Sequence, residues 1–286
     1  MKQRILTASI LILLAAPILI WSDTIVLNIA VALISAAGIY ELLSATKYIR
    51  NHTLTVFSIV YAAAIPFLFL LPGNMRIGVF IGFDFVFVVA LFMLLIFKNK
   101  KYRLEHISVA FLMANIIPLF LSSLIVLRRM PETMIVDRRM GFVFMLLPIV
   151  CVIITDTFAL FTGMLLGKHK LAPSVSPKKT VEGAIGGAVF GVLTFVAAGI
   201  ISEKVVGVDV NLPLFAAAGL ITSVIGQFGD LFMSVIKRHC DLKDFGNLMP
   251  GHGGILDRFD SLIFAAPTFL LFVYGLDYIG VHMIIH

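Results

Sequence analysis

Six polar side chains recur at helical spacing along an otherwise apolar stretch of the sequence. They follow one another at intervals of 4, 3, 4, 3 and 4 residues: Ser223, Gln227, Asp230, Ser234, Lys237 and Asp241. In an α-helix these intervals place all six side chains on one face. A carboxylate at membrane depth is costly unless it faces a partner or a water-filled cavity. We therefore expect Asp230 to belong to a functional site.

A glycine-rich, basic segment follows this predicted helix. Residues 242–256 contain four glycines and a proline, so they cannot form one regular helix. The segment closes on Asp257 and Asp260, which lie in the first turn of the next apolar run. The sequence therefore predicts a helix, a glycine-rich loop and a second helix, with acidic residues at both rims of the loop.

A second polar block lies further toward the N-terminus. Asp156 and Gly163 share one face of an apolar run, where small residues let a neighbouring helix approach closely. By its position in the run we expect Asp156 to be buried, with a metal, a cation or a donor as its partner. The loop over residues 168–182 carries lysines at both ends, and we expect Ser176 or Thr180 to cap the helix that follows. A helix N-terminus beside lysines is a natural seat for phosphate.

The composition identifies the class of protein. Hydrophobic residues make up 60% of the 286 residues and charged residues only 13%, whereas soluble domains carry about 25% charged residues. Two cysteines without a Cys/His cluster predict neither a disulfide framework nor a zinc site. In a membrane protein the distribution of the net charge of +6 matters more than its size, and we expect no nucleic-acid partner.

The apolar runs predict an all-α polytopic membrane protein with about nine transmembrane helices. The runs cover, roughly, residues 5–21, 25–43, 53–71, 77–97, 107–127, 141–167, 183–201, 213–236 and 261–283. The first run could be a signal peptide, but a second run starts almost at once, so we expect it to be retained. We divide the chain into residues 1–139, with about five spans, and residues 140–286, with about four. The second region carries the candidate chemistry and two cytoplasmic loops, at residues 168–182 and 237–260.

Lysine and arginine are distributed unequally between the two sides of the membrane in this arrangement. Sixteen of the 22 fall on the side of the N-terminus and six on the other side. Because positively charged loops stay in the cytoplasm, the N-terminus is expected there and the C-terminus outside. Both polar blocks then face the cytoplasm, where nucleotides are found.

The two polar blocks contain the mixture of residues that phosphate chemistry needs. Carboxylate oxygens suit Mg²⁺, lysine and arginine neutralise developing charge, and glycine-rich backbone lets N–H groups approach phosphate oxygens. From the residues alone, the favoured interpretation is a membrane enzyme that acts on a phosphorylated lipid. A cation-coupled transporter is the alternative, because an intramembrane acid can also serve a proton relay.

Two acids in the N-terminal half are harder to interpret. Glu41 lies near the cytoplasmic end of the second run, where an acid at the protein surface is as expected as a site residue. Asp84 lies inside the fourth run, where we expect helix pairing or an interior hydrogen bond rather than a catalytic role.

The charged and glycine positions of the C-terminal half resemble the signature of the phosphatidate cytidylyltransferases, also called CDP-diacylglycerol synthases. The segments that carry the resemblance are Ser234-x-x-Lys237-Arg238, Lys243-Asp244-x-Gly246 and Pro250-Gly251-His252-Gly253-Gly254-x-x-Asp257-Arg258-x-Asp260. Three upstream segments are similar to the same family: Asp156-Thr157-x-Ala159, Ser176-Pro177-Lys178-Lys179-Thr180-x-Glu182-Gly183 and Gln227-x-Gly229-Asp230-Leu231. The resemblance covers about residues 150–262. It departs from the usual pattern at Leu160 and Met249, neither of which is charged.

The resemblance implies an activity, a cofactor and partners. The implied reaction transfers CMP from CTP to phosphatidate, releases pyrophosphate and leaves CDP-diacylglycerol in the bilayer. It implies Mg²⁺, with or without a second, monovalent cation, and a homodimer in the cell membrane whose active site faces the cytoplasm. A CTP-dependent polyprenol kinase is a further alternative, which would release CDP instead of pyrophosphate.

The resemblance also implies roles for single residues. It suggests Asp230 and Asp257 as metal ligands. The catalytic set that it implies is Asp230, Asp257, Lys237, Arg238, Ser234 and Asp260. The substrate-binding set is Lys178, Lys179, Thr180, Lys243, Asp244, His252, Gly253, Gly254, Arg258 and Asp156. Family members form dimers, but we expect the close-packing face of Gly186, Gly187 and Gly191 to serve helix packing within one subunit.

Overall fold

The computed structural model describes residues 13, 15–45, 52–98, 102–130, 134, 137–249 and 253–285. Helices dominate these residues, and two short antiparallel sheets accompany them. In chain order the elements are α1 (Ile25–Ala45), α2 (His52–Leu68), α3 (Gly73–Phe97), α4 (Leu104–Arg128), α5 (Arg138–Leu166), β1 (Lys170–Ala172), β2 (Ser176–Thr180), α6 (Val181–Val206), β3 (Asp209–Val210), α7 (Leu212–His239), α8 (Leu256–Tyr278) and β4 (Ile284–Ile285). The helical fold class is confirmed, although the apolar pattern did not indicate the two sheets.

Most of these helices are long and apolar enough to cross a membrane. Within the described residues seven meet that description, namely α1 and α3 to α8, and α2 is a shorter apolar helix of 17 residues. The chain is therefore a multi-pass membrane protein. Eight of the nine predicted spans correspond to these helices. The predicted span at 5–21 lies mostly outside the described residues, so the count of nine stays a prediction.

The described residues divide into two compact units. The first lies within Met1–Ile125 and Cys240–Arg258, and the second within Val126–His239 and Phe259–His286. The division that we drew between residues 139 and 140 is a different, functional one and stays a prediction.

Polar contacts connect the helices of the first unit. The buried Asn28 side chain of α1 donates a hydrogen bond of 2.7 Å to the Pro66 carbonyl oxygen of α2. The Tyr61 hydroxyl of α2 lies 2.8 Å from Asp84 Oδ1 of α3 and 2.7 Å from Asn115 Oδ1 of α4. The expectation of an interior hydrogen bond for Asp84 is therefore confirmed.

Small residues let three helices of the second unit approach closely. A Cβ atom placed on Gly183 of α6 would lie 2.6 Å from the Ala159 carbonyl oxygen of α5, and one on Gly191 would lie 2.5 Å from Ser223 Cβ of α7. Both distances are shorter than any normal contact, so these positions need glycine. The predicted use of this glycine face for packing within one subunit is confirmed.

Candidate active site

A cavity of about 530 Å³ in the second unit gathers several of the predicted site residues. The α5 and α7 helices, the N-terminal part of α6 and the hairpin of β1 and β2 form its walls. Its lining consists of Asp156, Ala159, Leu160, Gly163, Met164, Lys170, Leu171, Lys178, Lys179, Thr180, Gly183, Ala184, Gln227 and Asp230. The expected burial of Asp156 is met only in part, because the residue lies deep among the surrounding atoms but its side chain is exposed to this cavity. A carboxylate in a membrane-spanning helix is favoured where it faces such a cavity rather than lipid.

An ion pair between β2 and α7 is the main charged feature of this cavity. The ammonium group of Lys179 pairs with Asp230 Oδ2, and the Ser234 hydroxyl lies 3.5 Å from Asp230 Oδ1, one helical turn further along. The side chains of Lys179 and Asp230 are both partly exposed. The Asp230 carboxylate can therefore be reached by a cation from the cavity. In this structure the cation beside it is the ammonium group of Lys179.

The N-terminus of α6 fixes the hairpin that carries the lysines. Thr180 is the N-cap residue, and its hydroxyl accepts a hydrogen bond of 3.1 Å from the Gly183 N–H. The Glu182 carboxylate accepts one of 3.0 Å from the Lys168 N–H, and His169 Nδ1 lies 2.6 Å from its other oxygen. Of the two predicted caps, Thr180 is therefore confirmed. The predicted loop at 168–182 is partly a β-hairpin, in which Lys170 pairs with Thr180.

The polar face of α7 continues beyond the cavity to a buried ion pair. Lys237 Nζ lies 3.8 Å from Asp260 Oδ2 of α8, and only 7% of Lys237 and 8% of Asp260 are exposed. Asp260 Oδ1 also accepts a hydrogen bond of 2.8 Å from the Ser261 N–H. Removing one partner of such a pair leaves a buried charge, which typically destabilises a protein by about 3–5 kcal/mol. Asp241 does not share this face, because α7 ends at His239 and Asp241 has a φ of +56°.

Arg238 occupies a more exposed position at the end of α7. Its Nε–H group donates a hydrogen bond of 3.2 Å to the Val175 carbonyl oxygen in the turn between β1 and β2. The guanidinium group therefore connects the end of the helix with the hairpin that carries Lys178 and Lys179.

In the first unit, the described part of the glycine-rich loop folds around one carboxylate. Asp257 Oδ2 accepts hydrogen bonds of 2.9 Å from the Phe245 N–H and 3.2 Å from the Gly254 N–H. The Met249 N–H donates one of 3.0 Å to the Gly253 carbonyl oxygen, and Gly253 has a φ of +81°, a conformation that favours glycine. The loop is therefore held in a defined shape by backbone contacts to the first turn of α8.

The remaining predicted residues fall into three groups. Lys243, Asp244 and Arg258 are exposed in the first unit. His252 lies outside the described residues. Asp230 belongs to the second unit and Asp257 to the first, and the described residues contain no group of three His, Cys, Asp or Glu side chains close enough to hold a metal ion. The roles of all these residues stay predictions.

Glu41 is a residue whose place the sequence did not reveal. It is only 2% exposed, so its interpretation as an acid at the protein surface is wrong. Glu41 Oε2 accepts a hydrogen bond of 2.8 Å from the N–H of Leu256, the first residue of α8. Gly246 and Gly254 both border the Glu41 carboxylate, but nothing in the sequence links these glycines to so distant a residue.

The fold and the site define a helical membrane protein whose charged, lysine-lined cavity is suited to phosphate groups. The chain belongs to the cytidylyltransferase family, because the sequence profile of that family matches residues 2–276. This result confirms the family that the sequence motifs indicated.

Individual relatives agree with this assignment. The chain is 32% identical to the phosphatidate cytidylyltransferase of Staphylococcus haemolyticus over 276 residues, which cover 93% of this chain and 96% of that protein. It is 48% identical to the phosphatidate cytidylyltransferase of Bacillus subtilis over 128 residues, 44% of this chain and 46% of that protein. A third relative of the same description, from Staphylococcus epidermidis, is 42% identical over 130 residues.

Proposed function

We propose that this chain transfers CMP from CTP to phosphatidate and so forms CDP-diacylglycerol and pyrophosphate in the membrane. Family membership and the full-length match to a phosphatidate cytidylyltransferase support this function. The observation that carries it is the cavity in which Lys178 and Lys179 lie beside the N-terminus of α6 and the Asp230 carboxylate. Lysines and a helix N-terminus favour the binding of a triphosphate in this cavity. Because membrane-spanning helices form the walls of the cavity, the lipid substrate stays in the bilayer.

The chemistry requires positioning and neutralisation of charge rather than a strong base. A phosphate oxygen of phosphatidate attacks the α-phosphorus of CTP. The bond from that phosphorus to the oxygen that it shares with the β-phosphorus breaks, and pyrophosphate leaves. The nucleophile is already ionised, so no proton has to be removed from it. In this proposal Lys178 and Lys179 bind the triphosphate and stabilise the charge on the leaving group, and Thr180 contributes the capped helix N-terminus.

The residues fit a magnesium ion, which we propose as the cofactor, with or without a second, monovalent cation. Mg²⁺ prefers oxygen ligands and is often bound by only one or two carboxylates together with substrate phosphates. Asp230 offers such an oxygen at the cavity, and the ammonium of Lys179 already occupies a cation position there. This supports Asp230 as a ligand, and the resemblance alone supports Asp257. When bound, the ion would neutralise phosphate charge.

The proposed function is tested by the release of pyrophosphate from reconstituted protein. Vesicles that contain phosphatidate should release pyrophosphate only when protein, CTP and Mg²⁺ are all present, and vesicles without phosphatidate should release none. A cation-coupled transporter would instead carry an ion or solute across the vesicle membrane without consuming nucleotide. Flux without pyrophosphate would therefore contradict the proposal.

Two basic residues are expected to serve different substrates. Lys179 lines the cavity, whereas Arg238 is exposed at the end of α7, where we propose that the lipid phosphate lies. Loss of a charged contact to phosphate should raise a KM by about tenfold. We therefore expect Lys179→Ala to raise the KM for CTP and Arg238→Ala to raise the KM for phosphatidate. The measurement is a pair of saturation curves for each variant.

The exposed Lys204 at the end of α6 offers a control for the loss of one positive charge. Lys204→Ala should leave both KM values unchanged. If Lys179→Ala and Arg238→Ala both weaken CTP alone, the lipid phosphate is held elsewhere.

We also propose that the active site faces the cytoplasm, with the N-terminus on the same side. The distribution of Lys and Arg supports this orientation. In a protein with Cys151 and Cys240 replaced, a single cysteine at the exposed position Asn247 should react with an impermeant maleimide only from the cytoplasmic face. A cysteine at Asp209, also exposed, should react only from outside. Labelling of position 247 in intact cells would contradict this topology.

The homodimer stays a prediction as well, supported by the family resemblance.

A further inference from the structure

The buried acid of α1 sits at the start of α8. Glu41 lies in the last turns of α1, and Leu256 opens α8 after the glycine-rich loop. The hydrogen bond from the Leu256 N–H to Glu41 Oε2 measures 2.8 Å and joins residues 215 positions apart in the sequence. The first N–H groups of a helix have no partner within the helix, and a carboxylate beside them is favourable. Glu41 therefore caps α8 from a distant helix.

The packing around this bond brings α1 against the same point. A Cβ atom placed on Gly38, one turn before Glu41, would lie 3.4 Å from Leu256 Cδ1. The Leu256 side chain is 1% exposed. The start of α8 therefore lies close to the Gly38 position of α1 and is hydrogen-bonded to Glu41.

The glycines of the loop are shaped around the same carboxylate. A Cβ atom on Gly246 would lie 2.6 Å from Glu41 Oε1, and its two next nearest neighbours would also be Glu41 atoms. A Cβ atom on Gly254 would lie 2.6 Å from Glu41 Oε2 and 2.9 Å from Asp257 Oδ2. The loop backbone therefore passes so close to Glu41 that neither position has room for a side chain.

One oxygen of Glu41 is held in an unfavourable position. Glu41 Oε1 is buried and has no hydrogen-bond partner among the described residues. A buried oxygen without a partner typically destabilises a protein by more than the gain from one ordinary hydrogen bond. An apolar side chain at this position would avoid that penalty. The acid is thus explained by what it does for the loop rather than by the stability of α1.

We propose that Glu41 is a positioning residue for the reaction: it fixes the glycine-rich loop and the first turn of α8, and thereby the Asp257 carboxylate. Glu41 binds the Leu256 N–H, and Asp257 is the next residue. Asp257 in turn binds the Phe245 and Gly254 N–H groups. Loss of Glu41 releases both the loop and the direction of the Asp257 side chain. The activity readout of this inference rests on the proposed function.

The first test compares two substitutions of Glu41. Glu41→Ala should lower kcat/KM for CTP by about tenfold or more, because a displacement of the loop misplaces reacting groups. Glu41→Gln has the same shape and an amide oxygen that can accept from the Leu256 N–H, so it should keep most of the activity. A Glu41→Gln variant as impaired as Glu41→Ala would overturn the assignment to this hydrogen bond.

Asn28 provides a matched control in the same helix. It is also buried and also makes a hydrogen bond to another segment, but it contacts Pro66 and not the loop. Asn28→Ala should lower thermal stability while the folded protein keeps near-normal kcat/KM. An equal loss of kcat/KM in folded Asn28→Ala and Glu41→Ala would mean that Glu41 serves stability alone.

The second test is a double-mutant cycle with Gly246. Gly246→Ala should lower kcat/KM by about tenfold or more in the native background, because the new methyl group meets the Glu41 side chain. In the Glu41→Ala background those atoms are absent, so the same change should lower kcat/KM by only about twofold further. An equally harmful Gly246→Ala in both backgrounds would overturn the proposed contact.

Hydrogen exchange tests the inference without any activity. Peptides that cover residues 245–257 should exchange faster in Glu41→Ala than in the native protein or in Asn28→Ala, since the loop loses its fixed partner. If the native protein transferred no CMP but this difference appeared, the proposed function would be wrong, whereas the role of Glu41 in fixing the loop and the first turn of α8 would stand. Unchanged exchange in Glu41→Ala would overturn the positioning role itself.

Discussion

Replacement of Asp230 by asparagine is expected to reduce kcat by at least ~100-fold. The amide keeps the shape of the side chain but removes the charge that pairs with Lys179 and that we propose for Mg²⁺. Asp257→Asn should cause a loss of the same order, because the amide oxygen can still accept from the Phe245 and Gly254 N–H groups while the charge is gone. The measurement is turnover of folded, purified variants at saturating CTP and phosphatidate.

Asp209 is the control for the loss of one negative charge. It is exposed on β3, and Asp209→Asn should keep native turnover. Near-normal turnover of Asp257→Asn at ordinary Mg²⁺ concentrations would contradict its assignment as a metal ligand. Near-normal turnover of Asp230→Asn would mean that the cavity is not part of the active site.

The second large effect is a loss of thermal stability when the packing of α6 against its neighbours is disturbed. Gly191→Ala places a methyl group 2.5 Å from Ser223 Cβ and 3.0 Å from Thr155 Oγ1, so the helices must move apart. Overpacking of this kind destabilises a protein by about 1–3 kcal/mol, and we expect the temperature of half-inactivation to fall by roughly 2–6 °C.

Gly275 of α8 is the matched position for this change. A Cβ atom there meets nothing within 4 Å, so Gly275→Ala should leave the half-inactivation temperature unchanged or raise it, since alanine favours a helix. Both variants are heated in detergent and then assayed. An unaffected Gly191→Ala would contradict the close approach of α6 and α7.

Hydropathy predicted where the apolar helices lie better than where they begin. The run at 261–283 alone predicts a later start, but Asp257 does lie, as expected, in the first turn of α8, which begins at Leu256. Its first N–H is capped by Glu41, an interaction between distant residues that periodicity cannot show. Similarly, α5 starts at Arg138 because the Asp137 side chain accepts a hydrogen bond of 2.7 Å from the Arg139 N–H.

The sequence indicated single residues of the candidate site but not the residues that hold them in place. Spacing and motifs indicated Asp230 and Lys179, which the fold brings together as an ion pair. Periodicity also included Asp241, which lies beyond the helix in a left-handed conformation that aspartate tolerates. The place of Glu41 stayed open between a surface acid and a site residue, because a sequence does not show which distant backbone groups a carboxylate approaches.

The most direct test of the proposed reaction follows the two ends of the triphosphate in the same preparation. Purified protein is incubated with phosphatidate, Mg²⁺ and CTP labelled at either the α- or the γ-phosphorus, and the lipid is extracted. Transfer of CMP predicts label in the lipid from the α-position only, with the γ-label recovered in pyrophosphate. Label in the lipid from the γ-position, with release of CDP, would identify a kinase and contradict the account.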